Sequence, residues 1–133
     1  MATLEVIKAL ADETRLRMVA LLERTETLCA CEIEAVLGVN QSNASRHLAR
    51  LRHAGIIDGD RQGHWVHYTF KRSSPYAPLI AQLLDSARAE NPTFETDFQR
   101  LNDYQGSEFS CETIGEWIVN SSLADSPTAE TRA

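Results

Sequence analysis

The sequence predicts a mainly α-helical chain with a small β-hairpin, ordered as a winged helix-turn-helix. Two short segments with helical apolar spacing flank Gly38-Val39-Asn40. The apolar period then changes from helical to about 2 over residues 56–70. The 133 residues suit one domain with its own core and leave no room for a separate catalytic domain of ordinary size.

Leu4, Ile7, Leu10 and Ala11 repeat at helical spacing behind Thr3, a candidate cap, and Leu16, Val19, Ala20 and Leu22 form a second stripe with Asp12 as N-cap. After the polar break Arg24–Thr27, Ile33, Val36 and Leu37 share one face of a short helix that Gly38 ends, since glycine takes the left-handed conformation freely. The next helix is expected from Gln41 to Ala54, with Ala44, Leu48 and Leu51 turned inward and Gly55 as its stop.

Val66, Tyr68 and Phe70 then alternate with Trp65, His67 and Thr69. Ile56 and Ile57 open a matching strand, and Gln62-Gly63 is the expected turn, with Arg61, His64 and Trp65 near the tip. Ser74-Pro75 signals another helix start, because proline in the first turn gives up a donor that would have no partner. Tyr76, Ile80, Leu83, Leu84 and Ala87 form its stripe, to about Ala89, and Asn91-Pro92 breaks it. Helices are expected from Phe94 to Tyr104 and around Cys111 to Val119, followed by a disordered tail over 123–133.

The net charge of −6 hides a strong segregation. Residues 41–72 hold six Arg or Lys against two Asp, together with all four histidines, whereas residues 73–133 hold three basic residues against ten acidic ones. Phosphate contacts depend on local potential, so an acidic protein with one basic face remains able to bind DNA. No run of apolar residues is long enough to cross a bilayer and no basic leader opens the chain, so a cytoplasmic location without a membrane partner is expected. Cys29, Cys31 and Cys111 are odd in number, which argues for free thiols rather than a disulfide framework.

In a helix-turn-helix the start of the second helix enters the major groove. There Asn and Gln pair with adenine, Arg with guanine, and Ser with either. Gln41, Ser42, Asn43, Ser45, Arg46, His47 and Arg50 supply those types at that place, and Arg61 and His64 at the hairpin tip would reach phosphates or a neighbouring groove. Singly, each has a plain structural role: Asn40 or Ser42 as a cap, Arg50 as a solvated cation, Trp65 as packing. Their order along the chain is what points to double-stranded DNA.

Four stretches also resemble the arsenic-repressor, or ArsR/SmtB, family of metal-sensing repressors. They are Leu10–Arg17, Leu28–Ile33, Gln41–Leu48 and Arg61–Tyr68, and the resemblance spans roughly residues 4 to 90. It implies a homodimer on a palindromic operator, released when an ion binds. It also implies a dimer interface on the first helix and on the helix from Pro75 to Ala89, which would use Leu4, Ile7, Tyr76, Ile80, Leu83, Leu84 and Ala87. The chain then divides into a DNA-binding and dimerisation domain over 1–90, a helical extension over 91–122 and the tail.

Cys29-x-Cys31 resembles the pattern by which arsenic-responsive members hold As(III) or Sb(III), with Cd(II), Zn(II) or Pb(II) as alternatives. Helical residues two apart point about 200° away from each other, so both thiolates reach one ion only where the backbone is extended or unwound. Related repressors carry a third cysteine three residues on, where this chain has Glu34, which leaves Cys111 as the candidate third ligand, from the same chain or its partner. A zinc site of the related type needs Asp and His on the dimerisation helix, and that stretch offers Asp85 and no histidine.

Three rival readings stand beside this one. A repressor of the same fold would sense oxidants through Cys29 and Cys31. A dimeric adaptor would bind protein instead of DNA. An enzyme reading lacks both a glycine-rich phosphate loop and a Cys-x-x-Cys motif.

Overall fold

The structure is a computed structural model that describes residues 1–121, so the expected tail over 123–133 lies outside the described residues. The order is α1 (Ala2–Leu10), α2 (Glu13–Arg24), β1 (Leu28–Cys29), α3 (Ala30–Leu37), α4 (Gln41–His53), β2 (Ile57–Gln62), β3 (Trp65–Phe70), α5 (Ala77–Glu90) and α6 (Thr93–Gln105). Residues 114–121 are also helical.

Local chemistry sets the boundaries that position α4. The Asp12 carboxylate accepts from the Arg15 amide at 3.0 Å and starts α2. Gly38, at φ 71°, ends α3, and the Asn40 side chain accepts from the Asn43 amide at 2.9 Å to start α4. Helix, turn and helix are therefore each capped by residues inside the helix-turn-helix itself. Ala44, Leu48 and Leu51 are buried from α4 as their spacing predicts, against a core that includes Met18, Leu21 and Leu22 of α2 and Ile33 and Val36 of α3.

The sheet has three antiparallel strands in the order β1-β3-β2. Five aspects of the sequence expectation need correction. The hairpin pairs Gln62 with Trp65, so the turn consists of Gly63 and His64, and Gly63 takes the positive φ of 65°. The third strand, β1, is too short to show a period of two, and it pairs Leu28 with Tyr68 and Cys29 with His67. Thr3 lies inside α1, and its hydroxyl meets the Tyr76 hydroxyl at 2.7 Å. α5 begins at Ala77 with Pro78 in its first turn, while the Ser74 hydroxyl accepts from the Tyr76 amide one turn earlier. Ile80 and Leu84 are 1% and 2% exposed, so they serve the chain's own core and not a partner surface.

Leu48→Ala removes a fully buried side chain under the recognition helix and is expected to cost about 2–5 kcal/mol, read as a lower urea midpoint with an unchanged slope.

Candidate functional site

α4 carries no acidic residue, and its outer face is polar. Gln41, Ser42, Ser45, Arg46 and Arg50 are exposed, while Asn43 and His47 are half-buried. Arg46 donates to the Asn43 side-chain Oδ1, which aligns the two side chains along the helix. His47 lies 3.2 Å from the Arg15 guanidinium, itself held by the Ala9 carbonyl at 2.6 Å. Arg61 and His64 are exposed on the wing, with Trp65 36% exposed beside them. Gln41 of α4 lines one cavity with His64 and Trp65, so the donor-rich face of α4 adjoins a hairpin tip that carries Arg61 and His64, alongside Asp58 and Asp60 of β2.

The cysteines adjoin this face, since Cys29 and Cys31 line the same cavity as Gln41. Cys29 ends β1 and is the N-cap of α3, with an extended backbone at φ −85° and ψ 166°, while Cys31 is already in the helix. That change from strand to helix is what turns the two side chains toward each other, and their sulfurs are 2.9 Å apart. Cys111 enters from the segment after α6 of the same chain, so the Sγ atoms of Cys29, Cys31 and Cys111 all lie within 4.8 Å of one another. Cys29 and Cys111 are joined as a disulfide and Cys31 remains a thiol. Burial, reinforced by the Glu32 carboxylate, pushes the Cys31 thiol up to about 11.

A cavity of about 240 Å³ opens beside Cys29 and Cys31. Its walls include Glu34, the α4 residue Gln41, and His64 and Trp65 from the wing, so the thiols and two of the base- and phosphate-reading candidates share one space.

Polar residues absent from the sequence reading hold this region in place. Glu32 accepts from the Cys29 amide at 2.9 Å and from the Tyr104 hydroxyl at 2.5 Å. Burial and this carboxylate raise the Tyr104 phenol above its ordinary range. Asp97, 2% exposed, accepts two bonds of 2.8 Å from Arg17. The pairing with Asp97 raises the Arg17 guanidinium above its usual value, against the opposing effect of burial. A sequence signal for Asp97 existed, since it interrupts the inward stripe of Phe94, Phe98, Leu101 and Tyr104 at helical spacing.

The surface of α1 and α5 leaves Leu4, Ile7 and Leu83 43%, 57% and 46% exposed, with Tyr76 and Ala87 half-buried. Leu79, 56% exposed, extends the same side and was missed. Asp85 on α5 faces solvent and pairs with Arg88 at 3.6 Å.

A polar, acid-free second helix presented beside a β-hairpin defines a winged helix-turn-helix transcription regulator. A family model described as "Bacterial regulatory protein, arsR family" matches residues 12–58. The chain is 44% identical to the arsenical resistance operon repressor of Escherichia coli (strain K12) over 85 residues, which are 63% of this chain and 70% of that protein. It is also 47% identical over 70 residues to the arsenic resistance transcriptional regulator ArsR1 of Pseudomonas putida, covering 53% of this chain and 55% of that one. The chain belongs to the arsR family of bacterial regulatory proteins. Among solved structures it resembles HlyU from Vibrio cholerae N16961, with a TM-score of 0.57 and 30% identity over 62% of this chain and 87% of that one. The AntR antimony-specific transcriptional repressor matches with a TM-score of 0.55 and 28% identity over 65% of this chain and 74% of AntR. These relatives are transcription regulators rather than enzymes. No helix among the described residues is long and apolar enough to cross a membrane.

Asp97→Ala leaves the Arg17 guanidinium without its buried partner, and about 3–5 kcal/mol of stability is expected to be lost, measured by thermal or urea unfolding.

Proposed function

We propose that this chain is a cytoplasmic, homodimeric DNA-binding repressor released from its operator when As(III) or Sb(III) engages Cys29, Cys31 and Cys111. The observation that carries this reading is the meeting of three sulfurs within 4.8 Å, one of them contributed from 80 residues further along the same chain. Trivalent arsenic and antimony take three thiolates in a pyramid, whereas zinc and cadmium take four ligands in a tetrahedron. The cluster among the described residues holds three donors, a number that favours the metalloids over Cd(II), Zn(II) or Pb(II). The thiol of Cys31 is protonated at neutral pH, so ligation releases its proton.

Gln41, Ser42, Asn43, Ser45 and Arg46 would read base edges, while Arg50, Arg61 and His64 would meet phosphates or an adjoining groove. His47 would pack against Arg15 and orient the helix from its flank. The exposed Leu4, Ile7, Leu79 and Leu83 support a second copy on α1 and α5. A two-fold dimer would present two α4 helices to half-sites about 34 Å apart, which is why a palindromic operator is expected. Residues 1–90 would bind DNA and dimerise, and residues 91–122 would complete the ion site through Cys111.

A second reading rests on the disulfide between Cys29 and Cys111, which corrects the expectation of free thiols and differs from the oxidant-sensing alternative that used Cys29 and Cys31. Oxidation of that pair would serve as the trigger in place of ligation.

The deciding measurement is anisotropy of labelled DNA from upstream of the chain's own coding region, with reduced protein and added arsenite or peroxide. Arsenite is expected to release wild type and to fail with Cys29→Ser, Cys31→Ser and Cys111→Ser. Equal release of all three variants would sink the thiol reading. Release of wild type and Cys31→Ser by peroxide, with no response to arsenite, would establish oxidation as the trigger. Separately, Arg46→Ala is expected to weaken binding by about 1–3 kcal/mol with the dimer and helicity intact. Binding that does not fall with rising salt would exclude the phosphate-dominated complex.

A further inference from the structure

The residues after α5 do more than deliver Cys111. α3 has eight residues, and its last four carbonyls have no partners within the helix. The Gly38 and Val39 amides take the Glu34 carbonyl at 2.8 and 3.1 Å. Arg100 of α6 takes the Ala35 and Val36 carbonyls at 3.1 and 2.8 Å, and Arg17, fixed by Asp97 of α6, takes the Leu37 carbonyl at 3.1 Å. At the other end of α3 the Tyr104 hydroxyl binds the Glu32 carboxylate that caps the Cys29 amide. α6 therefore grips α3 at both ends, from Asp97, Arg100 and Tyr104 on successive turns of one face.

The segment carrying Cys111 covers those grips from outside. Trp117 is 3% exposed, its ring meets the Tyr104 ring edge-on at 5.3 Å, and the Arg100 guanidinium lies 5.1 Å from its centre. Only the five residues 112–116 thus separate Cys111 from the ring that touches both contact residues. Beside its direct link to Cys29, Cys111 thus has a second route to both ends of α3 through this side chain, and α3 leads through Gly38 into α4.

We propose that α6 is the strut coupling the thiol site to the recognition helix, with Arg100 and Tyr104 as positioning residues and Trp117 as the link from Cys111. This rests on the reading of the three sulfurs as the site of the trigger. Arg100 meets the finish of α3 and Tyr104 reaches the sulfurs only through Glu32, so their substitution is expected to uncouple the two sites while leaving the three sulfurs and the DNA-facing side chains in place. That separation distinguishes a strut from a merely structural contact, and the coupling itself is measurable as a ratio of operator affinities.

The test compares reduced wild type with Arg100→Met and Tyr104→Phe in two readouts: protection of thiols from a chromogenic disulfide reagent by arsenite, and operator affinity with and without arsenite. Wild type is expected to lose affinity about 5- to 150-fold on ligation, and both variants to protect their thiols equally while the loss falls below about 3-fold. Arg100→Lys, which keeps a donor, should recover part of the ratio. Tyr104→Phe removes a single oxygen and decides the matter if Arg100→Met does not fold by circular dichroism. Full thiol protection with wild-type release in both variants would overturn the strut. If arsenite leaves wild-type thiols unprotected, the metalloid reading fails, and the same ratio taken with peroxide-oxidised protein judges the strut instead. If neither trigger changes operator affinity, both proposals fall.

Discussion

An eight-residue helix has too few internal hydrogen bonds to be stable alone. α3 is such a helix, and it stands between the sulfurs at its first turn and the Gly38 turn that aims α4. Its geometry is therefore decided by what satisfies its ends. Glu32 closes the start, and the guanidinium groups of Arg17 and Arg100 close the finish. A charged donor beside the negative end of a helix is electrostatically favourable, and two of them leave α3 little freedom to tilt without loss. The Arg17–Asp97 pair makes the same point energetically, because the buried Asp97 charge is costly at that depth without its half-buried partner.

The charge distribution follows the same division of labour. α4 has no carboxylate, and its last turn holds Arg50, Arg52 and His53, so the positive potential is concentrated where a phosphate backbone would lie. The acids are gathered in the other parts of the chain, with α6 and the segment after it supplying Glu95, Asp97, Asp103, Glu108, Glu112 and Glu116. An acidic chain is compatible with a basic working surface because exposed charges are screened beyond about 8–10 Å.

Much of this was legible in local pattern. The Asp12 and Asn40 caps, the Gly38 stop, the inward triad Ala44, Leu48 and Leu51, and the hairpin were each readable within a few residues, and each is present. Errors arose where a signal was non-local or too short. β1 has two residues and exists only because β3 lies beside it. Ile80 and Leu84 share a stripe with Leu83, and periodicity alone does not say which members face the chain's own core and which face outward. Pro75 and Pro78 are both credible helix starters, and the Ser74 turn favours the second.

By itself the sequence determined the helix-turn-helix with its hairpin, the basic block over 41–72 and the paired thiols, because caps, turns and hydrophobic periods act over only a few residues. Tertiary structure alone decided that Cys111 comes from the same chain to join Cys29 and Cys31, and that Arg100, Tyr104 and Asp97 hold α3. Those contacts join groups 64 to 82 residues apart, and such separations close only when α6 packs on the core through Phe94, Phe98 and Leu101.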